Sequence, residues 1–425
     1  WGLMGVTFGI LTLYQKEDIK ISEDLKKIAT STYAVILYIF ALSIFIFSPM
    51  MNNFFVADDF TWLRWASDCT TQNCLSPWAR IVDYFLYANG FFYRPGAKMY
   101  FYIMDSLFWF NQVAYHMVSI FLHFAVAGML FLLAKKILKS IYLSIMTGIL
   151  FLFMSGYQEA VFWISSVGHL FTALFILISI LLFYEWESKR RGIYFILSLV
   201  FSLAALLFHE LGIVVPLLAI LFKFYKDEKL SFSVFYRDFR YLLLFLPSAV
   251  YLIMRYSAQS HWFSGDYSYN LLKLPFNIVG NIMGYISLTF FGPMSLPVYQ
   301  AFRDLLRENI SVAIVLVFVL TLMGFFIARL SVKAFSSIEK KIFIFGFSFF
   351  VISLIPFLGL GNIASRYSYL SSFGLLLIFV ILIRKLYFYL QDYGKDIAKA
   401  SLVVIIAVFA LWHIINKIRN TKYET

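Results

Sequence analysis

Long apolar runs recur along almost the whole chain, and nothing else in the sequence constrains the fold as strongly. Runs of spanning or nearly spanning length cover 33–50, 113–134, 141–154, 161–184, 193–208, 211–224, 241–254, 276–291, 312–328, 342–360, 368–383 and 402–415. About 20 apolar residues cross a bilayer as a helix, and the shorter runs fit tilted, half-buried or re-entrant segments. The chain is 62% hydrophobic and 14% charged. A soluble domain is about 45–50% apolar and about 25% charged, so no large soluble domain fits here. The sequence therefore predicts an all-α polytopic membrane protein with about 11–13 transmembrane helices.

Charge gives the topology. The short loops 16–27, 135–139, 189–191 and 223–240 are rich in Lys and Arg. Alternating the first seven spans puts all of them on one side, the cytoplasm by the positive-inside rule. The other side receives a long loop, 51–112, and a second loop, 255–275. Alternation fails if 276–291 crosses, because the basic segment 329–341 would then lie outside. A helix at 276–291 that dips or lies along the interface keeps 329–341 and 384–399 inside and leaves about eleven crossings. The net charge of +12 belongs to these loop ends rather than to a basic stripe on a soluble face, so no nucleic-acid partner is expected. The start of the chain, 1–27, reads as the tail of an upstream helix plus a cytoplasmic linker, and 28–420 as one transmembrane domain. Cys69 and Cys74 are either free thiols or a small disulfide of an exported loop.

The unusual polar residues collect on the side away from the basic loops. Asp58 and Asp59 follow the first full span. Tyr93-Arg94-Pro95 and Lys98 lie further along the same loop, Glu159 opens the fourth span, His209-Glu210 sits between two short runs, and Arg366-Tyr367 opens another. Ionisable groups at membrane helix ends commonly mark function when they face a cavity. Each also has a plain structural reading: acids cap helices, and arginines anchor at interfaces. On a helix Asp58 and Asp59 point about 100° apart, so one faces the cavity and the other holds a loop. Glu159 and His169, read as one straight helix, place His169 roughly 15 Å deeper as a packed core residue. His116 and His123 share a helix face and read as a polar seam.

The ordered set Val56-Ala57-Asp58-Asp59-Phe60, Tyr93-Arg94-Pro95, His116 to His123, 158–165, His209-Glu210 with Pro216, and 365–370 with Gly374 resembles the GT-C glycosyltransferases. It is most similar to the protein O-mannosyltransferase branch, including the transmembrane-TPR mannosyltransferases. His209-Glu210 stands where that branch usually has Lys-Glu, and no TPR array follows in the sequence. The resemblance implies a GT-C-like bundle whose long first outer loop carries short interfacial helices. It also implies a polyprenyl-phosphate-sugar donor and a protein, lipid or glycan acceptor. A carboxylate, Asp58 or Asp59, would take the proton of the attacking hydroxyl. Arg366, Arg94, Tyr93 and Lys98 would serve the donor phosphate and lipid, and Glu159, His209, Glu210 and Tyr367 the substrate pocket. Some members of the class use a divalent metal and others do not; the sequence offers no metal cage. The expected location is a bacterial or archaeal plasma membrane with the site facing outward. Two other functions suit a chain of this shape: an O-antigen polymerase or ligase, which would rely on outer Arg and His, and a transporter or flippase for lipid-linked substrates.

Overall fold

A computed structural model describes residues 30–67, 76–88, 92–227, 238–260, 269–309 and 335–421, with scattered positions between 311 and 322. Cys69 and Cys74, the segment 1–27 and most of the run 312–328 lie outside the described residues. The described chain is helical, with one isolated bridge between Tyr269 and Leu360.

Among the described residues sixteen α-helices of five or more residues order the chain: α1 Thr32–Phe47, α2 Asp58–Ser67, α3 Pro77–Leu86, α4 Pro95–Phe108, α5 Gln112–Leu138, α6 Ile141–Phe153, α7 Gln158–Phe162, α8 Val167–Lys189, α9 Gly192–Phe208, α10 Val215–Lys226, α11 Leu246–Ser257, α12 Leu274–Phe291, α13 Leu296–Glu308, α14 Ser337–Leu358, α15 Ser368–Gln391 and α16 Lys395–Thr421. Among the described residues seven stretches are long and apolar enough to cross a membrane, and α6 and α9 are shorter apolar helices. The protein is an all-α polytopic membrane protein.

Local chemistry sets the helix ends. Ser31 accepts from Ala34 N and caps α1; Ser76 caps α3 with Pro77 behind it. Ser336 and Glu339 form a reciprocal capping box on α14. Lys139 and Arg190 close α5 and α8 in the left-handed conformation.

Contacts define two faces. Lys135 Nζ donates to Thr32 at 3.0 Å, Lys223 pairs with Glu187 at 2.7 Å, and Lys385 lies 3.5 Å from Glu339. These join helix ends on one face, the basic one. Asn53, Ser155, His209, Gly361 and Arg366 mark the other. Helices α1, α5, α6, α8, α9, α10 and α11 run alternately between the faces, and so do α14, α15 and α16. The strokes of α10 and α11 are only 12 residues each, roughly 18 Å of helix.

Helix α12 behaves differently although it is long enough to cross. Near its start, Asn277 donates to Gly359 O at 3.2 Å and Asn281 to Leu358 O and Leu360 O at 3.0 Å. At its end, Phe291 O accepts from Trp412 Nε1 at 3.1 Å and from Asn416 Nδ2 at 3.4 Å. A Cβ on Gly156 would sit 2.2 Å from Leu288 O. All these partners belong to the non-basic ends of α14, α16 and α6. Both ends of α12 therefore meet one face, and the helix lies along it.

The core is also tight where α14 crosses α15. A Cβ on Gly374 would lie 2.2 Å from Gly346 O, and one on Gly346 would lie 2.6 Å from Gly374 O. Small residues here let two backbones approach, the usual device for helix pairing in lipid. Gly374→Ala must push the helices apart, which costs about 1–3 kcal/mol for an overpacked core. We expect a lower thermal midpoint in lipid nanodiscs; an unchanged midpoint would show that the crossing relaxes freely.

Candidate functional site

The face opposite the basic loops carries a cleft of about 310 Å³, near the lower end for small-molecule sites. Its walls come from distant parts of the chain. Helix α2 gives Asp58, Thr61, Trp62 and Trp65; the entry to α4 gives Phe92, Arg94 and Ala97. The turn into α8 adds Trp163, Ser165, Ser166, Gly168 and His169; Phe208, His209 and Arg366 complete it.

Ala57 positions the two acids. Its φ of 46° is a left-handed conformation, uncommon for a residue with a Cβ, and it turns the chain so that α2 starts at Asp58. The two neighbours then have separate tasks. Asp58 is exposed at the cleft. Asp59 is 1% exposed and accepts from Val56 N at 3.0 Å, from Ser165 N at 2.7 Å and from the Ser165 hydroxyl. It ties the first outer loop to the start of α8. Burial raises its carboxyl above the usual range, opposed by those hydrogen bonds. Asp59→Ala leaves the Val56 and Ser165 donors without their acceptor, at about 1–3 kcal/mol for a buried group left unsatisfied. The expected result is a reduced thermal midpoint; an unchanged midpoint would mean the loop is held by other contacts.

Each arginine at the cleft has a carboxylate behind it. Arg94 reaches Glu210 at 2.7 Å, and Arg255 lies 3.6 Å from the same carboxylate. Burial alone would raise the Glu210 carboxyl, but Arg94 and Arg255 outweigh it and hold it below the ordinary range. A depressed carboxylate contributes stability above its unfolded value and loses it as the pH falls through the folded one. Arg366 forms an ion pair with Glu159, which also accepts from Ser365 Oγ at 2.9 Å. Its guanidinium lies over the Trp163 ring at 5.1 Å and the Tyr367 ring at 5.0 Å.

Several sequence candidates stand behind the cleft rather than in its lining. Glu159 and Glu210 hold the arginines. Tyr367 is buried and stacks on Phe357 at 4.0 Å. Tyr93 is buried, with its hydroxyl on Phe85 O at 2.9 Å. Lys98 is buried near Trp65 and Tyr84 and donates to Tyr87 O at 3.4 Å, away from the lining. All five are placed to shape the pocket from outside it. His116 bonds Asn53 O at 3.0 Å and His123 bonds the Tyr369 hydroxyl at 2.8 Å, so the two polar contacts of that helix face go to the loop after α1 and to α15 rather than to the next helix, α6.

His169 departs from the straight-helix expectation. Helix α7 ends at Phe162 and Trp163 is extended, with φ −88° and ψ 116°. A 3-10 turn, Ile164–Ser166, then restarts the chain as α8. The break removes the continuous rise, and His169 reaches the cleft lining next to His209, with ring centroids 4.1 Å apart. Burial, then Arg94 and Arg366, push His209 far below the usual histidine range, so its ring is neutral at physiological pH.

Of the aromatic lining, Trp62, Trp65 and Phe208 are not singled out by the sequence. In a chain with 50 Phe and 9 Trp such residues carry no signal of their own.

Among the described residues no group of three or more His, Cys, Asp or Glu is placed to hold a metal ion. No family model, curated protein or solved structure matches the chain.

Proposed function

We propose that this protein is a membrane glycosyltransferase of the GT-C type. It moves a sugar from a polyprenyl-phosphate donor to an acceptor hydroxyl, with inversion. The observation that carries this reading is one small cleft, at the non-basic end of a membrane bundle, lined by an exposed carboxylate and two arginines. The positive-inside rule places that end outside the cytoplasm, where a prokaryotic cell envelope is built.

The chemistry asks for little more. The acceptor oxygen attacks the anomeric carbon and its proton passes to the Asp58 carboxylate. The bond from that carbon to the phosphate oxygen breaks on the opposite side. Arg94 and Arg366 are suited to the phosphate, because a guanidinium can bond two of its oxygens at once. A phosphate is already a good leaving group, so no general acid is needed. Asp59 holds the loop that carries the base.

Membrane-facing parts support a lipid-linked substrate. Helix α3 exposes Trp78, Val82 and Leu86 along one stripe and buries Arg80 and Tyr84 on another, as an interfacial helix does. The test is release of polyprenyl phosphate by purified protein in nanodiscs from a panel of polyprenyl-phosphate monosaccharides, with a hydroxyl acceptor present. Release by the wild type supports transfer. No release from any donor by folded protein would return weight to the polymerase and transporter readings.

A further inference from the structure

His169 and His209 together offer more hydrogen-bonding capacity than the protein uses. They are 5% and 2% exposed, and both belong to the cleft lining that contains Asp58. His209 Nδ1 accepts the N–H of Leu211 at 3.1 Å. In a neutral ring an accepting Nδ1 places the hydrogen on Nε2, and that Nε2 has no hydrogen-bond partner. Neither ring nitrogen of His169 has one. As a neutral imidazole, His169 brings one donor and one acceptor.

The two perpendicular rings, 4.1 Å apart in the cleft wall, therefore hold two N–H donors and one acceptor nitrogen that no protein group meets, each of them buried. Buried polar atoms without partners are rare in folded proteins and call for a specific explanation. An ionised phosphate only accepts, so it would satisfy the donors and leave the acceptor nitrogen unmet. A hydroxyl both donates and accepts. Adjacent hydroxyls on one ring match the whole set, while the arginines Arg94 and Arg366 suit the phosphate.

We propose that His169 and His209 form a hydroxyl-reading subsite that selects the sugar ring entering the cleft. This rests on the glycosyl-transfer reading and adds to it the residues that set sugar specificity. A site built around buried polar groups rejects an analogue lacking the matching hydroxyl strongly, because those groups are then left unpaired.

The full chain in lipid nanodiscs, labelled with 15N-histidine, provides the first test. Alkyl glycosides of glucose, mannose and galactose are added, and separately a short isoprenyl phosphate. At least one glycoside is expected to shift the ring signals of both histidines, assigned through His169→Phe and His209→Gln. Shifts from the isoprenyl phosphate alone, or from neither probe, would overturn the subsite.

The second test uses turnover. Wild type should prefer its donor over the deoxy analogue lacking one ring hydroxyl by at least about 100-fold in kcat/KM. His169→Phe should reduce that ratio to a few-fold, and His169→Asn, which keeps a donor and an acceptor, should restore most of it. Equal use of parent and deoxy donors would remove the subsite and leave glycosyl transfer standing. Glycoside-induced shifts in protein that releases no polyprenyl phosphate would support the subsite and remove transfer.

Discussion

Asp58→Asn is expected to lower turnover by about 10²–10⁴-fold, the usual contribution of a positioned general base, with the fold and donor affinity kept. The side chain is exposed at the cleft and has no part in the contacts that fix the loop. Asparagine preserves its size and removes its ability to take a proton. Asp59→Asn is expected to act differently. One oxygen of that buried carboxylate becomes an amide that faces N–H or O–H donors from Val56 or Ser165, so stability falls first and activity follows it. Measuring initial rates and thermal midpoints on both variants separates the roles. A normal rate with Asp58→Asn would move the base elsewhere and favour a polymerase-type enzyme, which tolerates that change. A lost rate with an unchanged midpoint for Asp59→Asn, beside a normal Asp58→Asn, would exchange the two assignments.

How far these roles could be read from the sequence depends on the range of the interaction. The alternation of basic loops fixes which helix ends share a face, because Lys and Arg report on the membrane side without any tertiary contact. The same counting favours a 276–291 that dips or lies along the interface over one that crosses, and the contacts of α12 with Gly359 and Trp412 place both its ends on one face. Helix periodicity separates Asp58 from Asp59 but cannot say which turns inward. That is settled by Ser165, which is 106 residues away. His169 was misplaced for a local reason: an extended Trp163 interrupts an apolar run that reads as continuous helix. No proline or glycine marks the break. The carboxylates behind Arg94 and Arg366 were visible as residues, but their pairing spans 116 and 207 positions and leaves no trace in spacing.

Arg366→Ala is expected to raise the KM for donor about 10- to 100-fold, the loss of one or two hydrogen bonds to a charged group at about 1.5–3 kcal/mol, while the acceptor KM stays near its original value. The resting guanidinium is oriented by Glu159 on one side and by the Trp163 and Tyr367 rings on the others. That arrangement fixes the fork before substrate arrives, so less side-chain freedom is lost on binding. It also makes Glu159 a competitor for the same cation. Glu159→Gln should therefore disturb Arg366 in two opposing ways, freeing its charge and loosening its position. A double-mutant cycle resolves them: with Arg366→Ala in place, the Glu159→Gln change should have little further effect on donor KM, because the group it acts through is gone. An interfacial anchor predicts another pattern. The Arg366→Ala midpoint would then fall with donor KM unchanged, and Glu159→Gln would shift stability alone. Kinetics and melting on three proteins thus decide whether the pair serves the phosphate or only the fold, and the second outcome would leave Arg94 as the cleft's sole arginine candidate for the donor.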